Sequence, residues 1–152
     1  MTRLTLPYWF DFHAHLRQGP LLKPMVAAHR QMGCFGILAM PNTKPPVAQV
    51  LESDTLDYWS IEGYRNQILA AGGDQLDDLI IPLYLTKDTT PRMIEAGAKA
   101  ELLRAAKYYP PHGTTGADFG YPFDEFLQNG VFQALADNNV TLCIHGEQHG
   151  LE

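Results

Sequence analysis

The chain has 152 residues, 45% of them apolar and 18% charged, and its 17 acidic against 11 basic side chains give a formal net charge of −6. That size and mix suit one globular domain, while the acidic balance argues against nucleic acid or an anionic membrane as partner, since either needs a basic face to meet phosphate. No apolar run approaches the ~20 residues that span a bilayer, and Met1-Thr2-Arg3-Leu4 lacks the apolar stretch of a signal peptide, so a small-molecule substrate and a cytoplasmic location are expected.

Short apolar runs alternate with stretches of helical period, the sequence form of βα units around a parallel sheet. In chain order, a strand is predicted over Tyr8–His13, a helix over Leu21–Met32 and a second strand over Phe35–Met40. A helix over Asp54–Ala71 follows, ended by Gly72-Gly73, which tolerate left-handed backbone. The third strand is expected over Leu79–Leu85. Thr90 then reads as the cap of a helix over Pro91–Ala100, with proline at the first helical position. The fourth strand is Leu103–Tyr109, a helix over Phe123–Asp137 runs to Asn138-Asn139, and Val140–His145 forms the fifth strand. Cys34 and Cys143 lie far apart within apolar runs and read as buried thiols, not as a disulfide or a CxxC site. Five strands and four helices fit either a doubly wound sheet or the first five-eighths of a (β/α)8 barrel, which takes ~250 residues.

The chemistry concentrates at strand ends. In Asp11-Phe12-His13-Ala14-His15-Leu16-Arg17, alternation puts Asp11, His13 and His15 on one face and Phe10, Phe12 and Ala14 on the other. The apolar face is then free to pack on helices while two imidazoles point to a common centre. A His-x-His pair on a rigid strand is a plausible half of a zinc site, although the spacing alone also suits two structural histidines. Lys107 falls near the end of the fourth strand, on the face of Leu103, Ala105 and Tyr109; a lysine buried there must be paired or deprotonated, and an exposed edge lysine is the plainer alternative. In the fifth strand Thr141, Cys143 and His145 share a face, with His145 at the C-terminal end, where parallel α/β folds place their sites. His29, inside a helix, and His149, beside the chain end, carry no site role in this reading.

Four segments in order resemble dihydroorotases of the short single-function bacterial type. They are His13-Ala14-His15-Leu16-Arg17, then Met40-Pro41-Asn42-Thr43-Lys44-Pro45-Pro46-Val47, then Ala105-Ala106-Lys107-Tyr108-Tyr109-Pro110 with Thr114-Thr115, and Ile144-His145-Gly146-Glu147. The resemblance implies the α/β fold of a (β/α)8 TIM-type barrel, of which residues 1–152 would be the N-terminal portion, five strands and four helices, with strands six to eight absent. It implies two zinc ions, with His13 and His15 on the first, His145 on the second, and Lys107 carboxylated on Nζ as the bridge. A carbamate suits that role because it offers two anionic oxygens where an ammonium offers no lone pair. Arg17 and Asn42 would hold the substrate carboxylate, as a guanidinium fork can. Thr114 and Thr115 would sit on a closing loop, although Gly116-Ala117 departs from the Asn-Ser usual there.

The activity implied for the whole protein is reversible hydrolysis of dihydroorotate to N-carbamoyl-L-aspartate in pyrimidine biosynthesis, with a homodimer as the expected assembly. The 152 residues alone should be inactive, because the family's further histidine and its general-base aspartate lie on the later strands. A hydantoinase or allantoinase is the alternative within the same chemistry, disfavoured by residues that answer an extra carboxylate. A non-catalytic dihydroorotase-like structural partner is the alternative outside it.

Overall fold

In the computed structural model, which describes residues 5, 7–52, 56–111, 113 and 116–146, every strand pairing is parallel. Strand β1 (Trp9–Ala14) leads through a single 3-10 turn into helix α1 (Leu22–Gln31) and strand β2 (Cys34–Ala39). Two short strands follow, β3 (Val47–Gln49) and β4 (Trp59–Ser60), then α2 (Ile61–Ala70), β5 (Asp78–Ile80) and β6 (Leu83–Tyr84). The rest is α3 (Pro91–Lys99), β7 (Ala105–Tyr108), α4 (Phe123–Gln128), α5 (Val131–Asp137) and β8 (Thr141–Ile144). Hydrogen bonding orders the strands β1-β2-β5, β3-β4 and β6-β7-β8.

The segment expected to be one strand over Leu79–Leu85 is two. Pro82 has no amide hydrogen to give a ladder, so β5 pairs only with β2 and, beyond the break, β6 pairs only with β7. Leu85 still donates its N–H to the carbonyl of Lys107 at 3.0 Å.

Two helices also differ from expectation. The one expected from Asp54 begins at Ile61, because the β3–β4 pairing holds Trp59 and Ser60 extended. Ser60 then caps the helix by accepting from the amide of Gly63 at 2.8 Å. The helix expected over Phe123–Asp137 is split at Gly130, whose φ of +81° lies in the left-handed region that glycine enters without steric cost. The remaining punctuation is where the residues place it. Thr90 accepts from the Met93 amide at 3.3 Å, and Gly72 (φ 104°) and Asn139 (φ 54°) take left-handed backbone just past α2 and α5. Both cysteines are free thiols, Cys34 buried and Cys143 half-buried.

The helices bury one face of the strands. Val26, Ile37, Ile68, Ile94, Ala106 and Leu135 belong to this main cluster, to which Ala14 and Leu16 also contribute. On the opposite strand face a smaller cluster joins Leu38, Met40 and Ala105, with Phe10, Ile80 and Cys143 packed against it. Strict alternation would put Phe10 on the helix side and Asp11 with the two histidines. The reverse holds. Asp11 reaches back to His29 of α1 at 3.1 Å, and the register with β2 runs from Asp11↔Ile37 to Ala14↔Ala39, three residues against two. That extra residue is a β-bulge. It returns Ala14 to the helix-side core and leaves Phe12 71% exposed on the other side.

Helix α3 packs closely enough to specify glycine. A Cβ on Gly97 would lie 2.8 Å from Val50 Cγ2 and 2.9 Å from Leu103 Cβ, and the latter is fixed by its own backbone. Alanine would gain about 1 kcal/mol of helix propensity against about 1–3 kcal/mol of overpacking. Overpacking wins at such distances, so Gly97→Ala is expected to lower the urea midpoint; an unchanged or raised midpoint would show that α3 shifts without cost.

Candidate functional site

At the C-terminal ends of β1, β2, β7 and β8 the chain encloses a cleft of about 540 Å³. Its wall includes His13, His15, Arg17, Asn42, Tyr109 and His145. Lys44 also reaches the rim, and among the described residues no carboxylate lines the cleft. In a chain of net charge −6, this is a local cationic site suited to an anionic ligand.

Past the bulge, His13 and His15 converge, their Nε2 atoms 3.1 Å apart. An ion held tetrahedrally at about 2.0–2.1 Å from each nitrogen sets two imidazole nitrogens about 3.3 Å apart, so this spacing fits one metal as well as it fits an N–H···N hydrogen bond. Burial, and next the charge of Lys107, lowers the pKa of His13; burial and then His13 lower that of His15. The neutral imidazole so favoured is the form with a lone pair for a metal. The neighbouring Asn42 side chain acts in the opposite sense, raising the pKa of His15.

Lys107 is only 4% exposed, so the buried alternative weighed from sequence is the one realised. It faces Cys143 in register across β7 and β8, with Nζ 5.2 Å from the centroid of the Tyr109 ring. Burial holds its ammonium pKa below the usual lysine range, with a smaller opposing influence from Cys143. That raises the share of free amine, which is a nucleophile. The ring of Tyr109 also lies 5.9 Å from that of His145, so it neighbours both Lys107 and His145. Sequence reasoning placed Tyr109 on the Lys107 face but gave it no role in the site; its position two residues beyond the lysine on one strand was the available signal.

The cleft therefore brings together His13, His15, Arg17, Asn42 and His145, with Lys107 buried beside them. Among the described residues no three His, Cys, Asp or Glu side chains gather as a metal-holding group; the two imidazoles of β1 form the tight pair. Thr114 and Thr115 lie outside the described residues. Gly116, next in the chain, has φ of +79° and lies close enough to Asn42 that a Cβ there would meet Asn42 Nδ2 at 3.3 Å. Tyr84 donates its hydroxyl hydrogen to the Gly116 carbonyl at 3.3 Å. No described helix is long and apolar enough to cross a membrane.

No family model matches the chain. Sequence comparison finds dihydroorotases: that of Acaryochloris marina is 38% identical over 148 residues, covering 97% of this chain and 40% of that protein. That of Pseudomonas entomophila is 37% identical over 147 residues, covering 95% and 39%. The chain thus spans about 40% of the length of the curated relatives it matches, corresponding to their N-terminal part. Among solved structures, the dihydroorotase of Saccharomyces cerevisiae in complex with 5-fluoroorotic acid superposes with a TM-score of 0.79 at 26% identity, over 93% of this chain and 36% of that one. A dihydroorotase from Campylobacter jejuni, at 22% identity and a TM-score of 0.72, shares the fold.

Proposed function

We propose that residues 1–152 form the N-terminal portion of a single metal-dependent amidohydrolase barrel, the first five strand positions of a (β/α)8 fold, and that the whole protein is a dihydroorotase. It would interconvert (S)-dihydroorotate and N-carbamoyl-L-aspartate, with β5 and β6 together filling the third strand position. The observation that supports this most is the convergence of His13, His15, Lys107 and His145 on the C-terminal ends of parallel strands, in a chain 38% identical to a dihydroorotase over 148 residues. A cytoplasmic location and a homodimeric whole protein belong to the same proposal and rest on the resemblance.

In this reading His13 and His15 would hold one zinc ion and His145 a second, and Lys107, as a carbamate, would supply them with anionic oxygen ligands. The donor set fits in two respects: the Nε2 spacing of His13 and His15, and the burial that favours a free Lys107 amine. That amine attacks the carbon of CO2, forms an N–C bond and gives up a proton, leaving an anionic carboxylate on Nζ. Bound zinc supplies Lewis acidity and lowers the pKa of water. Arg17 and Asn42 hold the substrate carboxylate, the guanidinium by paired N–H donors, and the cationic rim draws the anion in. Tyr109 covers Lys107 and limits its access to water.

Metal analysis and a ring-opening assay on the full-length protein test this. Two divalent ions per chain and turnover of dihydroorotate in preference to hydantoin are expected; hydantoin turnover without dihydroorotate turnover would move the protein to a different cyclic amidohydrolase class. The 152 residues alone, supplied with zinc and bicarbonate, are expected to show no saturable turnover. They hold the proposed ligands at β1, β7 and β8, whereas the general-base aspartate that the resemblance implies belongs to a later strand, and such a group is worth ~10²–10⁴ in rate.

A further inference from the structure

We propose that Asp11 and His29 are positioning residues for the His13–His15 pair, acting through the bulge in β1; this rests on the metal-centre reading of that pair. A regular strand would aim His13 the same way as Asp11, toward α1. The bulge between Asp11 and Ala14 turns it into the cleft, and a bulge takes residues out of the ladder and leaves amides to be satisfied elsewhere. Asp11 does this directly: its Oδ1 accepts from the backbone N–H of His13 at 2.8 Å.

The carboxylate is itself held. Its other oxygen, Oδ2, pairs with His29 Nε2 at 3.1 Å, and His29 Nδ1 meets the carbonyl of Met25 one turn back in α1 at 2.8 Å. His29 thus faces an acceptor at each ring nitrogen. The Asp11 and His29 side chains are 25% and 14% exposed, so water competes little for the contact. The chain of contacts runs from the backbone of α1 to the backbone of His13. It is the kind of outer support whose loss typically costs ~10–100-fold in metal affinity.

Zinc affinity of the full-length protein, measured by competition with a chromophoric chelator, tests the proposal alongside a readout that needs no metal, the exchange rate of the His13 amide in the zinc-free protein. Asp11→Ala is expected to weaken zinc binding about 10-fold or more and to speed His13 amide exchange. Asp11→Asn keeps an acceptor for that amide and should bind within about threefold of wild type. His29→Gln should weaken binding less than Asp11→Ala does, and it serves as the second variant where Asp11→Ala fails to fold. Wild-type affinity and exchange in Asp11→Ala, or Asp11→Asn as weak as Asp11→Ala, would overturn the positioning role. A wild-type protein whose zinc binding is untouched by His13→Ala would instead overturn the metal-centre reading beneath it.

Discussion

Lys107→Ala in the full-length protein is expected to bind one divalent ion or fewer per chain and to lose about 10³-fold or more in kcat/KM. The position is 4% exposed on β7, with its amine inside the strand layer and not in solvent. Burying a lysine there is costly for an ammonium and acceptable for a neutral amine that becomes a carbamate. In the proposed site alanine would remove the carbamate that supplies oxygen ligands to both ions. With the bridge lost, two cations would face each other without the anion between them, and generation of hydroxide at neutral pH would go with the second ion. Atomic emission on the purified variant, with ring opening followed by absorbance, checks both halves. Two tightly held ions in Lys107→Ala would remove the bridging role whatever the activity.

Arg17→Lys should raise KM for dihydroorotate about 10–100-fold with a smaller change in kcat. Lysine keeps the charge but gives up the planar fork, and hydrogen bonds to charged groups contribute about 1.5–3 kcal/mol each. Arg17 lines the cleft immediately after Leu16, whose carbonyl accepts from the buried hydroxyl of Tyr64 at 2.6 Å. Its backbone is therefore anchored, and the shorter reach of a lysine ammonium cannot be recovered by a local shift. Steady-state kinetics with dihydroorotate and, in the reverse direction, N-carbamoyl-L-aspartate measure the effect. Unchanged KM in both directions would place Arg17 outside the substrate site.

The five strand positions and most helix ends were legible because they depend on local chemistry: apolar runs, the Thr90 cap, the left-handed Gly72 and Asn139. What escaped depends on partners distant in sequence. Strands β3 and β4 have too little pattern of their own to be recognised and exist through pairing, which also delays α2 to Ile61. The breaks at Pro82 and Gly130 fall on residues whose disrupting tendency is readable, but Pro82 lies within an apolar run and Gly130 within a stretch of otherwise helical period. In the site, the histidines and Lys107 were legible as residue types at strand ends. The direction in which His13 points was not, because the bulge is held by Asp11 and by a His29 eighteen positions away. Alternation alone puts Asp11 on the wrong face.

The break at Pro82 also has a dynamic consequence. It separates the two larger hydrogen-bonded ladders, β1-β2-β5 and β6-β7-β8, and opening cooperates within a ladder more strongly than across an interruption. His13 and His15 belong to the first; Lys107 and His145 belong to the second. Thermal breathing of one ladder against the other therefore changes the separation of the two halves of the cleft, whereas any ligand gripped by both ties them together. Amide protons of β2 and β7 should then exchange with separate opening free energies in the ligand-free protein and converge on a common one as the cleft fills.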